Sequence, residues 1–171
     1  MKTLEQRVQA LEDAQQIINL KSVYLDAANG GWKKPSHDGA AIANMFVDDG
    51  HWELTAWAVA KGKAQIRDTF NKWTTEIPFA VHMLSNPFLE VNGDTAKGRW
   101  YVLALSTHVG EDRYSGEDIM SLCTYNDQFV RQDGRWLFKS LHAEVVLQGP
   151  FRGENWTKYL AKLHKPVGAR A

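Results

Sequence analysis

Two turn signals do most to limit what this chain can fold into. Asn92-Gly93-Asp94 and Asp133-Gly134 each lie between a pair of strand-like runs, and Asn-Gly or Asp-Gly in that setting marks a tight antiparallel hairpin. The runs are long, at about 79–91, 95–107, 118–132 and 135–147, with a loop at 110–116 between the middle two. Four consecutive strands predict a meander. Helical spacing precedes it, so the order is helices first and sheet second, which places the fold in the α+β class.

Thr3 followed by Gln6 reads as a capping box, and Leu4, Val8, Leu11, Ile18 and Leu25 recur near helical spacing. Gly30-Gly31 stops this first helix, which is expected to end near Asn29. Ser36 is the expected N-cap of a second helix, with Ile42, Met45 and Phe46 on its apolar side. Short strands are expected at 51–54 and 57–60. Lys61-Gly62-Lys63 leads into a third helix carrying Ile66, Phe70 and Trp73 on one face, and Pro78 ends it. The reading is one domain over 1–150, then a tail at 151–171 with a short helix around 156–163.

A chain of 171 residues suits one domain with a real core. Lys+Arg and Asp+Glu are 20 each, so there is no electrostatic footprint for nucleic acid or an anionic membrane. One cysteine, Cys123, allows no intrachain disulfide. No signal peptide is evident at the N-terminus, and a cytoplasmic protein is the expectation. No His/Asp/Glu spacing reads as a metal site and no Gly-rich phosphate loop follows a strand, so neither metal nor cofactor is expected. Seven tryptophans lean toward an aromatic-lined cavity.

Several stretches carry a family resemblance: Leu20-Lys21-Ser22-Val23-Tyr24, Met45-Phe46-Val47-Asp48-Asp49-Gly50, Lys61-Gly62, His82-Met83, Gly98-Arg99-Trp100-Tyr101 and Asp133-Gly134-Arg135-Trp136. In this order and spacing, the chain resembles SnoaL-like proteins of the NTF2-like superfamily. Within that superfamily it looks most like the cofactor-free lyases: bile-acid dehydratase, scytalone dehydratase and hexachlorocyclohexane dehydrochlorinase. The resemblance implies an NTF2-like cone, with helices packed on a curved, mostly antiparallel sheet around one pocket. It also implies a homo-oligomer (trimer or dimer), no metal, and a histidine paired with an aspartate.

His82 falls where those lyases keep a catalytic histidine. Strand alternation places it with Ala80 and Leu84 on an apolar face, and imidazole moves protons well near neutral pH. Tyr24 falls on a functional tyrosine of the bile-acid enzyme, where a hydroxyl can donate to a developing oxyanion. The aspartate partner expected by resemblance is Asn29 here, which accepts the ring N–H but brings no charge. Around the first helix, Tyr24, Ala28, Leu25 and Asn29 fall at roughly 0°, 40°, 100° and 140°, one continuous arc, whereas Asp26 sits near 200° and outside it. Ala104 and Val145 replace an aspartate and an arginine of the bile-acid enzyme, so the pocket keeps its shape and loses charge.

Alternation gives the remaining lining. Trp100, Val102 and Ala104 share one strand face, and Leu141, Ala143 and Val145 share another. Trp52 and Tyr125 match aromatic pocket positions of the dehydrochlorinase by resemblance. His142 and Glu144 are expected to face outward, and His51 to rim the pocket. His37, His108 and His164 are read as loop or tail residues without a signal, and Cys123 as a buried small hydrophobe.

Together these readings point to a lyase that needs no cofactor. It would expel water or a fragment such as formaldehyde from an aromatic, phenolic or polycyclic small molecule by His-centred acid–base catalysis, in a setting such as aromatic catabolism. The alternatives are a non-catalytic scaffold subunit of an aromatic-ring oxygenase, an apolar small-molecule binding protein, and an isomerase of the ketosteroid-isomerase type.

Overall fold

The computed structural model describes residues 3–31, 37–55, 57–112 and 114–151. Ser36 and the tail at 152–171, with its expected helix, lie outside the described residues. Among the described residues, three helices, α1 (Leu4–Ala28), α2 (Gly39–Asn44) and α3 (Gly62–Glu76), accompany six strands: β1 (Phe46–Leu54), β2 (Ala58–Lys61), β3 (Phe79–Asn92), β4 (Thr95–His108), β5 (Glu117–Gln132) and β6 (Arg135–Pro150). The strands form one sheet in the order β2-β1-β6-β5-β4-β3.

The sheet is mixed. β3 to β6 form the expected antiparallel meander, but β1 runs parallel to β6, with Trp52 opposite Leu141. The hairpin chemistry follows the turn residues. Gln132 pairs with Arg135, and Asp133 and Gly134 both take positive φ (48° and 74°), the two-residue turn whose twist suits a hairpin. At the other hairpin Asn92 pairs with Thr95, so Gly93-Asp94 is the loop, with Gly93 at φ 58°.

The first helix starts where its capping box places it: Thr3 Oγ1 accepts from the Gln6 N–H, and Gln6 Oε1 accepts from the Thr3 N–H. α2 is capped instead by Asp38, whose carboxylate accepts from the Ala41 N–H. Met45 is only the C-cap of α2, and Phe46 belongs to β1.

α1 lies on the sheet through charge as well as apolar packing. Lys21 and Asp127 are both buried and paired at 2.6 Å. The ammonium sits 4.1 Å from the Tyr125 ring centroid and 5.0 Å from that of Trp100. Burial drives both groups toward their neutral forms, Lys21 downward and Asp127 upward, while mutual attraction and the ring faces offset that cost. Gly98 completes this half. A Cβ there would meet the Trp100 ring at 2.2 Å, so only glycine lets the indole fold back over its own strand toward Phe129 (5.9 Å). Phe129, Phe138 and Phe46 continue the packed core.

Candidate active site

The other half of the fold is open. A cavity of about 90 Å³ lies among Tyr24, Trp52, Phe70, Trp73, His82 and Tyr125, room for roughly six water-sized spheres. That is small beside ordinary ligand pockets and favours a compact substrate.

Local structure fixes His82 in one tautomer. α1 ends at Asn29, which takes an extended backbone, and Gly30 then pairs with Ala80 of β3 through two hydrogen bonds (3.1 and 2.9 Å). That bridge sets Asn29 beside His82. Asn29 Oδ1 accepts from the His82 backbone N–H (3.0 Å) and from His82 Nδ1 (2.8 Å). A backbone N–H can only donate, so the amide atom facing it is the oxygen, and the ring nitrogen must donate too. The proton sits on Nδ1, which leaves Nε2 as an acceptor without a hydrogen-bond partner among the described residues. Loss of hydration inside the walls, with the nearby charges of His37 and Lys21, lowers the His82 pKa to about 4. At neutral pH the ring is an uncharged acceptor.

Tyr24 stands across α1's pocket face. Its Oη accepts from Trp52 Nε1 at 2.8 Å, so its own O–H remains a donor. Burial raises the Tyr24 pKa well above the ordinary phenol value, which keeps that donor proton in place.

Of the lining read from sequence, Ala28, Trp52, Ala104, Tyr125 and Val145 border the cavity with Tyr24 and His82. Leu25, Trp100, Val102, Leu141 and Ala143 do not; they are buried in the core. Trp100 is turned away by its contact with Gly98, and Leu141 and Ala143 are buried on β6 between β1 and β5. Asp26 is exposed. His51 binds Glu53 (3.1 Å), and His142 also reaches Glu53 (3.4 Å), both outside the cavity wall.

Two histidines read as featureless are in the wall. Both ring nitrogens of His37 face carbonyls, Ala28 O at 2.5 Å and Ile77 O at 3.0 Å, so this ring ties α1 to α3 and has no nitrogen free for substrate. His108 is buried at the end of β4, with Asp112 Oδ2 2.7 Å from Nδ1 and Ser106 Oγ 2.9 Å from Nε2. Ser106, Ser121, Cys123 and Gln148 also border the cavity. The signal for Ser106 and His108 was present: the alternation of Trp100, Val102 and Ala104 reaches them in two more steps. Gln148 was hidden, because Cys123 pairs with Val145 and Ser121 with Gln148. A bulge there reverses which residues of β6 face inward.

A curved mixed sheet crossed by helices, with a His-bearing aromatic cavity at one end, defines the NTF2-like cone. The chain belongs to the SnoaL-like domain family, whose model matches residues 9–142. Among solved structures it is similar to a type 2 hexachlorocyclohexane dehydrochlorinase (23% identity, 86% of this chain and 94% of that chain, TM-score 0.74). It is also similar to a scytalone dehydratase-like protein from Novosphingobium aromaticivorans (21%, 84% and 90%, 0.68). A third is an NTF2-like protein with a cystatin-like fold from the same organism (22%, 85% and 92%, 0.65). No curated protein matches the chain. At these identities the likeness establishes the fold, a scaffold on which lyases are built. Among the described residues no helix is long and apolar enough to cross a membrane, and no cluster of three or more His, Cys, Asp or Glu could hold a metal.

Proposed function

We propose that this chain is a cofactor-independent lyase that expels water or a one-carbon fragment such as formaldehyde from a small phenolic molecule. The observation that carries the reading is the fixed tautomer of His82, which leaves Nε2 unprotonated on a residue that lines an aromatic-walled cavity. Nε2 accepts a proton from the reacting end of the substrate, and the Tyr24 O–H donates to a substrate oxygen as charge develops there. The aromatic walls clamp the ring by burial and edge contacts. A phenol suits this pocket because its ring takes up charge that a neutral histidine–asparagine pair cannot balance. Met83, Tyr101, Leu122 and Val146 are exposed on the sheet, a surface suited to a homo-oligomer.

A second reading, a binding protein without turnover, is favoured by Asn29, because the uncharged amide leaves any imidazolium at His82 unsupported. A mass-spectrometric turnover screen of the purified protein against a phenolic panel, with no cofactor added, separates the two. Loss of water or a one-carbon fragment that disappears in His82→Ala supports the lyase. Full activity in His82→Ala refutes the role given to His82, and ligand binding without turnover supports the second reading.

A further inference from the structure

The charged partner missing at His82 is present elsewhere on the same wall. Asp112, His108 and Ser106 form one hydrogen-bonded line. A carboxylate can only accept, so His108 Nδ1 donates to Asp112 Oδ2 (2.7 Å). Nε2 of the neutral ring then accepts from the Ser106 hydroxyl (2.9 Å), and Ser106 Oγ keeps lone pairs for the cavity it borders. The line is held at each point. Ser106 and His108 lie two residues apart on β4 and so share a face. Asp112 Oδ1 is fixed by the Tyr114 N–H (2.6 Å). The loop carrying Asp112 is anchored by the Val109 and Gly110 N–H groups on Glu76 O (2.9 and 3.2 Å). Trp57 (5.7 Å) and Tyr114 (6.1 Å) wall the imidazole.

We propose that Ser106–His108–Asp112 is a second proton-handling centre of this cavity, one that deprotonates the phenolic hydroxyl of a bound substrate. It rests on the reading of the cavity as a site for phenols and adds where the phenol oxygen docks. The substrate O–H proton passes to Ser106 Oγ as the Ser106 proton passes to His108 Nε2. The products are a phenolate and an imidazolium whose Nδ1–H remains on the Asp112 carboxylate, so one proton has moved and total charge is unchanged. Ser106 touches the substrate; His108 and Asp112 act through it.

The register supports a division of labour. His82 pairs with Ala104, so Ser106 is its diagonal neighbour two residues further along β4, a spacing of roughly 7–8 Å with the Cβ atoms somewhat closer. That is about the span from a phenol oxygen to a substituent across the ring. One ring can therefore set its oxygen on Ser106 and its reacting substituent on His82.

The test uses 4-nitrophenol, whose phenolate absorbs visible light and whose neutral form does not, at a pH where the free compound is mostly protonated. Wild-type protein is expected to bind it as the phenolate. Asp112→Asn keeps an acceptor for Nδ1 but removes the charge, and it is expected to lower the bound phenolate fraction relative to neutral phenol at least about tenfold. Ser106→Ala is expected to do the same, and His82→Gln to leave the bound ratio within about twofold. Three results would overturn the proposal: an unchanged ratio in folded Asp112→Asn, a ratio that collapses only in His82→Gln, or no binding by folded wild-type protein. The probe has no leaving group, so failure of the relay is read separately from failure of the lyase reading, which the turnover screen decides.

Discussion

His82 and His108 stand on neighbouring strands and border the same cavity. Each has Nδ1 against a side-chain oxygen, at 2.8 and 2.7 Å. They differ in what that oxygen belongs to. Asn29 fixes the ring of His82 and gives it no charge; Asp112 fixes the ring of His108 and carries one. A neutral amide makes a good orienting partner and a poor partner for an imidazolium. Geometry alone therefore does not identify a base, and the charge behind the imidazole separates an acceptor from a proton store.

The comparison breaks most sharply at Asp112. Asp112→Asn is expected to lower turnover by up to about 10⁴-fold, the scale of such a change behind a catalytic histidine in serine proteases, with KM little changed. Steady-state kinetics on a substrate found in the screen checks it. Next is pH. The folded His82 pKa is about 4 against an ordinary 6.5, so between those values the unfolded chain binds the extra proton. The stability from the neutral ring is full above about 6.5 and drains as pH falls to about 4, by at most about 3 kcal/mol. Denaturation series of wild-type and His82→Gln should converge toward the acid end of that window. Asn29→Asp tests the missing charge directly. It is expected to raise the His82 pKa by about 1 to 3 units, read by NMR titration, and to return some of the turnover lost in Asp112→Asn. The smallest effect is at Tyr24. Tyr24→Phe removes the acceptor of the buried Trp52 N–H and is expected to cost about 1–3 kcal/mol, measured as a shift in denaturation midpoint.

The frame of the molecule was legible because local chemistry dictates it. The capping box at Thr3, the Asp133-Gly134 turn and the alternation in β4 each have a physical reason that needs no distant partner. The sequence also singles out His82, Tyr24 and Asn29, and the structure joins His82 to Asn29 and Tyr24 to Trp52. The parallel pairing of β1 with β6 was not legible, since it depends on where α2 and α3 return the chain. His108 was missed because the strand was ended one residue early, at Thr107, which left the histidine in a loop. Its partner Asp112 lies in a loop whose path is set by hydrogen bonds to Glu76, far off in sequence. Trp100 was placed in the lining because alternation gives the face of a residue but not its depth along the cone. The contact with Gly98 decides that depth.

The most direct test of a cavity with one uncharged and one charge-backed histidine is imidazole nitrogen NMR through an acid titration, with His82 and His108 assigned from their Gln variants. The expected result is a His82 ring that stays neutral, with its proton on Nδ1, until the pH approaches about 4, and that does not respond to Asp112→Asn while the His108 signals do. A His82 ring that titrates near the ordinary 6.5, or His108 signals indifferent to Asp112→Asn, would contradict it.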